Sequence, residues 1–296
     1  MDLSNENVVH VKGNGIEYLQ FRKLLEYPEI KYAYVIGLDK NFEFYPSNEE
    51  KNKVTRNNFK KICAELNLDY NNLVNVKQNH TDNIQIINEK ISKDEPDFNL
   101  YENTDGLITN KKGIVLSTKN ADCILLAFYD PIKKVIANVH SGWRGTLQRI
   151  SVKALEKMEK VYGCNPKNII CCMSPCIGKD HFEVGEDVYK MFYDEFKDLN
   201  DTYNPKNSGD LSGTSKLSDL RHSNNSRFLE KISEQNGDKW HIDTILINRK
   251  ILLQKGLKEE NIIDSGICSV CNKDIIHSFR AHREKAGRAT QIITMV

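Results

Sequence analysis

The chain has 296 residues, of which 39% are hydrophobic, and its 42 basic and 41 acidic residues give a net charge of +1. This length allows one large domain or two modest ones, and the apolar content is enough for a sizeable core, which excludes a wholly disordered chain. A balanced charge creates no overall attraction for nucleic acid or an anionic membrane, so we expect partners to be recognised at a local site.

The apolar and cysteine patterns predict a cytoplasmic protein without a membrane span. The longest strongly apolar stretch, residues 123–129, is far shorter than the roughly 20 residues that a membrane helix needs. The first 15 residues are polar and lack the apolar run of a secretory signal. Eight cysteines are too few for a disulfide scaffold in a chain of this length, so we expect thiols in a reducing compartment.

Hydrophobic periodicity predicts strands and helices in mixed order along the chain. The predicted strands are 32–38, 73–77, 84–88, 114–117, 123–129, 135–140 and 168–173, with two more near Ile262 and Thr290. The predicted helices are 51–66, 145–162, 183–199 and one that ends at Gly256. Between about 200 and 239 the chain is rich in Asn, Ser, Asp, Gly and Lys, which predicts a polar surface insertion that cannot bury a core. With no internal repeat, we expect a single domain over residues 1–296.

The two strands that flank Pro131 bring a cysteine and a histidine together. A turn centred directly after Pro131 pairs Cys123 with His140, and the β-carbons of opposed residues lie roughly 5 Å apart. A thiolate and an imidazole on one face are typical zinc ligands, and His80, on a loop next to a strand, is the candidate for the third. A slip of one residue would put Cys123 and His140 on opposite faces, and a buried thiol beside a hydrogen-bonded imidazole is the alternative.

The segment directly after His140 predicts an anion site. Gly142 and Gly145 flank Arg144 at the start of a predicted helix. Helix N-terminal amides and a guanidinium group together suit a phosphate or another anion. An ordinary strand-to-helix turn is the alternative interpretation.

Several ordered sequence blocks resemble those of the purine nucleoside phosphorylase family, which is also known as the laccase-domain or polyphenol oxidase family. The blocks are Gln78-Asn79-His80, Ala121-Asp122-Cys123, His140 to Thr146, Ser174 to Gly178 followed by Phe182-Glu183-Val184, and Ser278-Phe279-Arg280 with Gly287-Arg288. The similarity runs from about residue 33 to the end, outside the polar insertion. Departures from the family pattern are Thr81, Ser141, Ser174 and the inserted Ala281 and His282, and they leave the predicted metal ligands in place.

The resemblance implies an α+β fold, with mixed β-sheets covered by helices. It implies one catalytic zinc ion per chain bound by His80, Cys123 and His140, a site where copper could substitute adventitiously. The implied activity is phosphorolysis of adenosine, inosine and methylthioadenosine to the free base and ribose 1-phosphate, and the resemblance also allows adenosine deamination. The residues predicted to act in catalysis are Arg144, Asp122 and Gln78, and those predicted to bind substrate are Arg280, Arg288 and Ser141. The expected partners are purine nucleosides and phosphate, with no nucleic acid and no membrane, and the protein is expected to be a monomer or a homodimer.

Two other functions fit parts of the pattern. A zinc-stabilised protein that binds a partner without turnover would need a fourth side chain on the metal, because structural zinc sites are closed by four protein ligands. Multi-copper oxidation of phenols needs many histidines in His-x-His pairs, and the eight histidines of this chain include no such pair.

The remaining thiols and imidazoles are left without an assignment. Cys268 and Cys271 have the spacing of a zinc half-site or a redox pair. Further cysteines could complete a structural zinc site, and incidental thiols are the alternative; the candidates are Cys171, Cys172 and Cys176. The sequence does not decide whether three further histidines line a site or lie on the surface; these are His181, His277 and His282.

Overall fold

The computed structural model describes residues 1–45, 47–89, 101–197, 199 and 232–296. Its strands are β1 (Val8–Lys12), β2 (Glu17–Phe21), β3 (Ile30–Ile36), β4 (Leu73–Val74), β5 (Ile84–Ile86), β6 (Gly106–Thr109), β7 (Val115–Asn120), β8 (Ile124–Asp130), β9 (Val135–Ser141), β10 (Ile170–Met173), β11 (Glu183–Val184), β12 (Ser233–Asn236), β13 (Lys239–Ile242), β14 (Ile262–Asp264) and β15 (Ala289–Met295). Its helices are α1 (Arg22–Leu25), α2 (Glu49–Glu65), α3 (Trp143–Leu147), α4 (Ile150–Tyr162), α5 (Glu186–Phe196), α6 (Thr244–Gln254) and α7 (Phe279–His282).

Most of the strands belong to two six-stranded sheets. The strand order is β1-β2-β3-β15-β7-β4 in the first sheet and β14-β10-β8-β9-β6-β5 in the second. Both sheets are mixed, because β4 runs parallel to β7 in the first, while β5–β6 and β10–β14 are parallel pairs in the second. The predicted fold class, mixed sheets covered by helices, is confirmed.

The core is arranged in layers that follow from the apolar faces of these elements. One cluster lies between the two sheets and includes Tyr34 and Leu116 from the first sheet and Leu125 from the second. A second cluster packs the other face of the second sheet against α4 and α6, and a third packs the first sheet against α2. Strands β7, β8, β9 and β15 are buried over their whole lengths, as expected of strands covered on both faces.

The β8–β9 hairpin has a different register from the predicted one. Leu125, not Cys123, lies opposite His140, and a four-residue loop joins the strands. A two-residue hairpin would place Pro131 where the favoured turns need a positive φ, which the proline ring forbids. The longer loop instead uses Lys134, whose φ is +53°. The shift is two residues, so Cys123 and His140 keep the same face of the sheet.

Several element boundaries also differ from the predicted ones. The helix predicted over 145–162 is two helices, α3 and α4, because Arg149 between them has a φ of +54°. The helix predicted over 183–199 begins as strand β11 and continues as α5. Strands β1 and β2 are absent from the prediction.

The C-terminal end of the predicted polar insertion contains regular structure. Strands β12 and β13 form a small sheet with β11, so residues 233–236 and 239 of the insertion lie in strands. Residues 200–231 lie outside the described residues. Among the helices of the described ranges, none combines the length and the apolar composition that a bilayer crossing requires.

Candidate active site

The three predicted metal ligands converge at one end of the second sheet. The ligand atoms of His80, Cys123 and His140 all lie within 4.8 Å of one another, and His80 Nε2 is 3.8 Å from Cys123 Sγ. Cys123 directly precedes β8, His140 lies near the end of β9, and His80 lies on the loop between β4 and β5. The hairpin therefore supplies two ligands, and a separate loop supplies the third.

A buried carboxylate, Asp105, orients both histidines. Its Oδ1 atom lies 2.8 Å from His140 Nδ1, so the Nε2 atom of that ring is left for a ligand. The same carboxylate accepts hydrogen bonds from the backbone N–H groups of Asn79, His80 and Thr81 and from the Thr81 hydroxyl. These bonds hold the loop in a conformation where His80 has a φ of +59°. Metal-bound histidines commonly donate their second ring N–H to a carboxylate in this way.

The electrostatics of the group favour a thiolate. Burial opposes ionisation of Cys123, but the charge and hydrogen bonds of His140 and His80 outweigh it and lower the pKa of this thiol to about 6. Burial likewise opposes the charged form of His140, yet Cys123 and Asp105 raise the pKa of this imidazole to about 9. Since the thiolate is the form that binds metals, Cys123 is prepared as a ligand, and an incoming ion would displace the proton of His140.

This donor set fits a zinc ion with one open position. Two imidazoles and one thiolate are ligands that zinc accepts, and catalytic zinc sites combine three protein ligands with a position for water or substrate. Among the described residues, no fourth His, Cys, Asp or Glu joins the group. The closed site that a purely structural role would need is therefore not formed by the part of the chain that the structure describes.

The metal group faces a cavity of about 480 Å³. This volume is in the range of small-molecule sites. The lysine, arginine and carboxylate side chains that line it, within the described ranges, are Lys77, Lys119, Arg280, Arg288, Glu43 and Asp122. Aromatic side chains add flat apolar surface; they are Trp143, Phe182 and Phe279. Four cations against two carboxylates make the cavity suited to an anionic ligand.

Two of these cations share one carboxylate. Lys119 Nζ lies 3.8 Å from Glu43 Oε1, and Arg288 Nε lies 3.3 Å from Glu43 Oε2. Lys119 is buried, and burial lowers the pKa of its ammonium group. With all three groups ionised, the trio carries one net positive charge at the cavity wall.

Arg280 and Asp122 are linked to each other at the cavity. The Arg280 guanidinium donates to the carbonyl oxygens of His181 and Glu183, both at 2.8 Å. The backbone N–H of Arg280 donates to Asp122 Oδ2 at 2.7 Å, and the Ser269 hydroxyl donates to Oδ1 at 2.6 Å. Asp122 has a φ of +86°, so these bonds help to hold an unfavourable backbone conformation next to Cys123.

The other predicted site residues occupy different positions. Gln78 lines the cavity, but both ends of its amide are bonded to the backbone of Lys119, at 2.7 and 2.8 Å. Ser141 also lines it and lies 3.0 Å from the Thr146 hydroxyl. Arg144 is exposed, stacks 4.1 Å over the Trp143 ring, and is not brought into the lining of the described cavity.

Sequence reasoning missed three residues of the site. Asp105 belongs to an Asp-Gly pair, which is typical of a turn and does not by itself indicate a metal site. Lys119 lies in β7, two residues beyond the predicted end of that strand, and a lysine inside a fully buried strand is the signal that could have identified it. Glu43 precedes α2 in a segment that carries no recognisable motif.

Comparison with known proteins places this chain in a recognised group. The profile of the family described as multi-copper polyphenol oxidoreductase laccase matches residues 39–231 and 219–296. The chain is 29% identical over 232 residues to adenosine deaminase RL5 from an unknown prokaryotic organism, covering 77% of this chain and 76% of that protein. It is 30% identical over 189 residues to a purine nucleoside phosphorylase of Bacteroides thetaiotaomicron, covering 64% and 60%. The structure of YlmD from Geobacillus stearothermophilus superposes with a TM-score of 0.76 at 20% identity, covering 100% of this chain and 99% of that one, which shows a shared fold.

Proposed function

Because this chain belongs to the multi-copper polyphenol oxidoreductase laccase family, in which relatives are named purine nucleoside phosphorylase and adenosine deaminase, we propose that it is a zinc-dependent purine nucleoside phosphorylase. The substrates proposed are adenosine, inosine and methylthioadenosine, with orthophosphate as the second substrate. The observation that carries the proposal is the three-ligand His–Cys–His group with an open position inside a cationic cavity. Phosphorolysis brings a nucleoside and a phosphate together in one site, and the cavity offers surfaces for both.

The cation side of the cavity supports phosphate binding. Lys119 and Arg288 share Glu43 and retain one net positive charge between them. Charged hydrogen bonds from lysine and arginine to phosphate oxygens are among the strong interactions in proteins. Gln78 positions Lys119 by bonding both sides of its backbone. Arg288 and Lys119 are therefore the proposed phosphate ligands, with Ser141 as a further hydroxyl at the cavity wall.

The aromatic side of the cavity supports purine binding. Phe182 and Phe279 line it, and Trp143 does so with Arg144 stacked on its ring. Aromatic rings favour stacked or edge-on contact with another ring system, which suits a planar base. Arg144 thus has a proposed indirect role, in which its guanidinium supports the Trp143 ring.

The reacting centre would lie at the metal group, which lines the same cavity. A zinc ion bound by His80, Cys123 and His140 would supply Lewis-acid polarisation of a substrate oxygen. Asp122 is the lining carboxylate that is not paired with a lysine or arginine side chain, within the described part of the chain. It is therefore the proposed general acid, which would take a proton from solvent and pass it to a nitrogen of the departing base, and Arg280 is held beside it through its own backbone N–H.

A copper oxidase function is less well supported by the residues. The described residues form one His–Cys–His group and one His–Cys–Cys group. The whole sequence has no His-x-His pair, the arrangement that a multi-copper centre uses repeatedly.

The eight cysteines are all free thiols, which supports the proposed cytoplasmic location. A monomer or a homodimer stays the prediction for the assembly.

A product assay tests the proposed function. Purified protein is incubated with inosine or adenosine, with and without orthophosphate, and the bases and sugars are separated by chromatography. We expect hypoxanthine and ribose 1-phosphate from inosine only when phosphate is present. Cys123→Ser, which removes one metal ligand, is the matched inactive variant.

The same assay separates the alternatives. The protein would be a deaminase if it converts adenosine to inosine without phosphate and releases no free base when phosphate is present. Deamination is the activity named for the relative RL5. No product from either nucleoside would contradict both activities and favour a partner-binding protein.

A further inference from the structure

A second group of metal-binding side chains lies outside the lining of the cavity. The ligand atoms of His181, Cys268 and Cys271 are all within 4.8 Å of one another, and His181 Nε2 is 3.2 Å from Cys271 Sγ. None of the three lines the described cavity. The Cys-x-x-Cys spacing predicts a zinc half-site or a redox pair, and the fold adds the imidazole that the sequence leaves unassigned.

The topology of the second sheet brings these residues together. Strands β10 and β14 are parallel neighbours, so the segments that follow them leave the same end of the sheet. The pairing continues as a bridge between Cys176 and Cys268. The segment after β10 then reaches His181, and the segment after β14 carries both cysteines of the group. Two loops separated by nearly 90 residues in the chain therefore meet at fixed positions.

Backbone contacts orient the group further. The N–H of Gly178 donates to Cys268 Sγ at 3.3 Å. The carbonyl oxygen of His181 accepts a hydrogen bond from the Arg280 guanidinium, which anchors the segment that carries the imidazole. Hydrogen bonds of this kind, around the ligands rather than to the metal, orient the ligands in known metal sites.

We propose that His181, Cys268 and Cys271 bind a second zinc ion, with water in the fourth position. Two thiolates and an imidazole are preferred zinc ligands, and a Cys-x-x-Cys pair is a common half of a zinc site. Here the third ligand, His181, comes from an earlier part of the chain. Binding forms two Zn–S bonds and one Zn–N bond, and each thiol releases its proton to solvent. The chain would then hold two zinc ions, one more than the sequence predicts.

The three-ligand geometry favours metal over a redox role. A disulfide between Cys268 and Cys271 involves only the two sulfur atoms and gives the nearby imidazole of His181 no bonding role. The histidine at 3.2 Å from Cys271 is a third ligand in place, and the N–H bond to Cys268 suits a thiolate. The disulfide is nevertheless an outcome that the experiment must detect.

The second ion would brace the wall of the cavity. The residue after Cys268 is Ser269, whose hydroxyl bonds Asp122, and the segment after His181 carries Phe182 into the lining. A clamp on these two loops would hold Phe182 and Asp122 in place relative to each other. None of the ion's three ligands lines the described cavity, so the ion would act on a substrate only through these loops, and its fourth position would be filled by water rather than by a fourth side chain.

Zinc content tests the proposal independently of the proposed activity. The full-length wild type and variants are purified in reducing buffer, and bound zinc per chain is measured by mass spectrometry. We expect two zinc ions in the wild type, one in Cys271→Ser and one in Cys123→Ser. Cys164→Ala removes a buried thiol outside both groups, and this control should keep two.

A second measurement guards against loss of folding. Cys271 is exposed, so its replacement by Ser should leave the circular dichroism spectrum unchanged. His181→Gln should lose the same ion and, like Cys271→Ser, should show faster amide exchange over residues 176–183 than the wild type. One zinc ion in the wild type that persists in Cys271→Ser would overturn the proposal. A Cys268–Cys271 disulfide that thiol titration still finds after purification in reducing buffer would also overturn it.

Discussion

At the scale of single residues, one buried carboxylate organises the candidate metal centre. Asp105 bonds the His140 ring and accepts three backbone N–H groups from the loop that carries His80. Two of the three metal ligands therefore depend on an acid that binds no metal itself. The charge of Asp105 also helps to raise the pKa of His140, which links the orientation of this imidazole to its electrostatics.

Asp105→Asn tests this organising role. The amide keeps the size of the side chain but loses its charge and half of its acceptor capacity, so His80 and His140 should be held less firmly. We expect zinc affinity at the first site to fall roughly 10–100-fold, or about 1.4–2.8 kcal/mol, while the fold persists. Competition with a chromophoric chelator measures this affinity. Asp82→Asn, which breaks an ion pair with Lys153 near the surface, is the control. Equal zinc affinity in the two variants would contradict the organising role of Asp105.

At the scale of elements, the β8–β9 hairpin and the turn that follows it set the position of the metal ligands. The hairpin register places Cys123 close to Gly142 at the start of α3. The backbone of Gly142 has φ −69° and ψ 177°, a conformation that any residue can adopt. Its lack of a side chain is needed for space, because a β-carbon there would lie 2.5 Å from His80 Cδ2 and 3.1 Å from Cys123 Sγ.

Gly142→Ala should therefore disturb the metal group without straining the backbone. The added methyl group pushes the His80 ring away from Cys123, and we expect zinc at the first site to fall well below one per chain. Gly145→Ala, in α3, places its β-carbon 3.3 Å from Ile150 Cγ2 and 3.6 Å from the backbone oxygen of His140. The His140 contact is an ordinary one and is not to the imidazole, so this variant should keep its zinc. Metal analysis of the two purified variants makes the comparison. Full occupancy in Gly142→Ala would show that the loop of His80 can move without loss of binding.

At the scale of the whole molecule, the candidate site joins parts of the chain that are far apart in sequence. The loop before α7 is held to the segment before α2 by His277, whose Nε2 lies 2.9 Å from the carbonyl oxygen of Lys40. His277 is buried, and this burial, with the nearby charges of His282 and Arg288, lowers its pKa below the usual value, against the raising effects of its backbone bond and of Asp39. His277 is therefore neutral in the folded protein at neutral pH, and its role near the cavity is to hold these two segments together.

His277 should make folding stability depend on pH. Its pKa is lower in the folded state than in the unfolded state, so the unfolded chain binds the extra proton first as the pH falls. The contribution of His277 to the free energy of unfolding should then decrease from about pH 7 downward, through the unfolded pKa of about 6.5 toward the lower folded one. His277→Gln keeps a donor for the Lys40 carbonyl and should show a smaller decrease over the same range. Urea denaturation at a series of pH values measures both proteins, and parallel curves would contradict the prediction.

The sequence by itself indicated the three candidate metal ligands, through residue chemistry and the resemblance of ordered sequence blocks. It also predicted the mixed-sheet fold class and the apolar strands, because hydrophobic period is a local property of the chain. Only the tertiary structure decided how these parts meet. The register of the β8–β9 hairpin depended on a loop that Pro131 lengthens. Side chains alternate between the two faces of a strand with a period of two, so the hydrophobic pattern cannot distinguish two registers that differ by two residues. Asp105 belongs to the site through contacts between segments distant in sequence. His181 lies near Cys268 and Cys271 because two parallel strands end side by side. Such partners are set by packing between distant segments, which no local pattern in this sequence records.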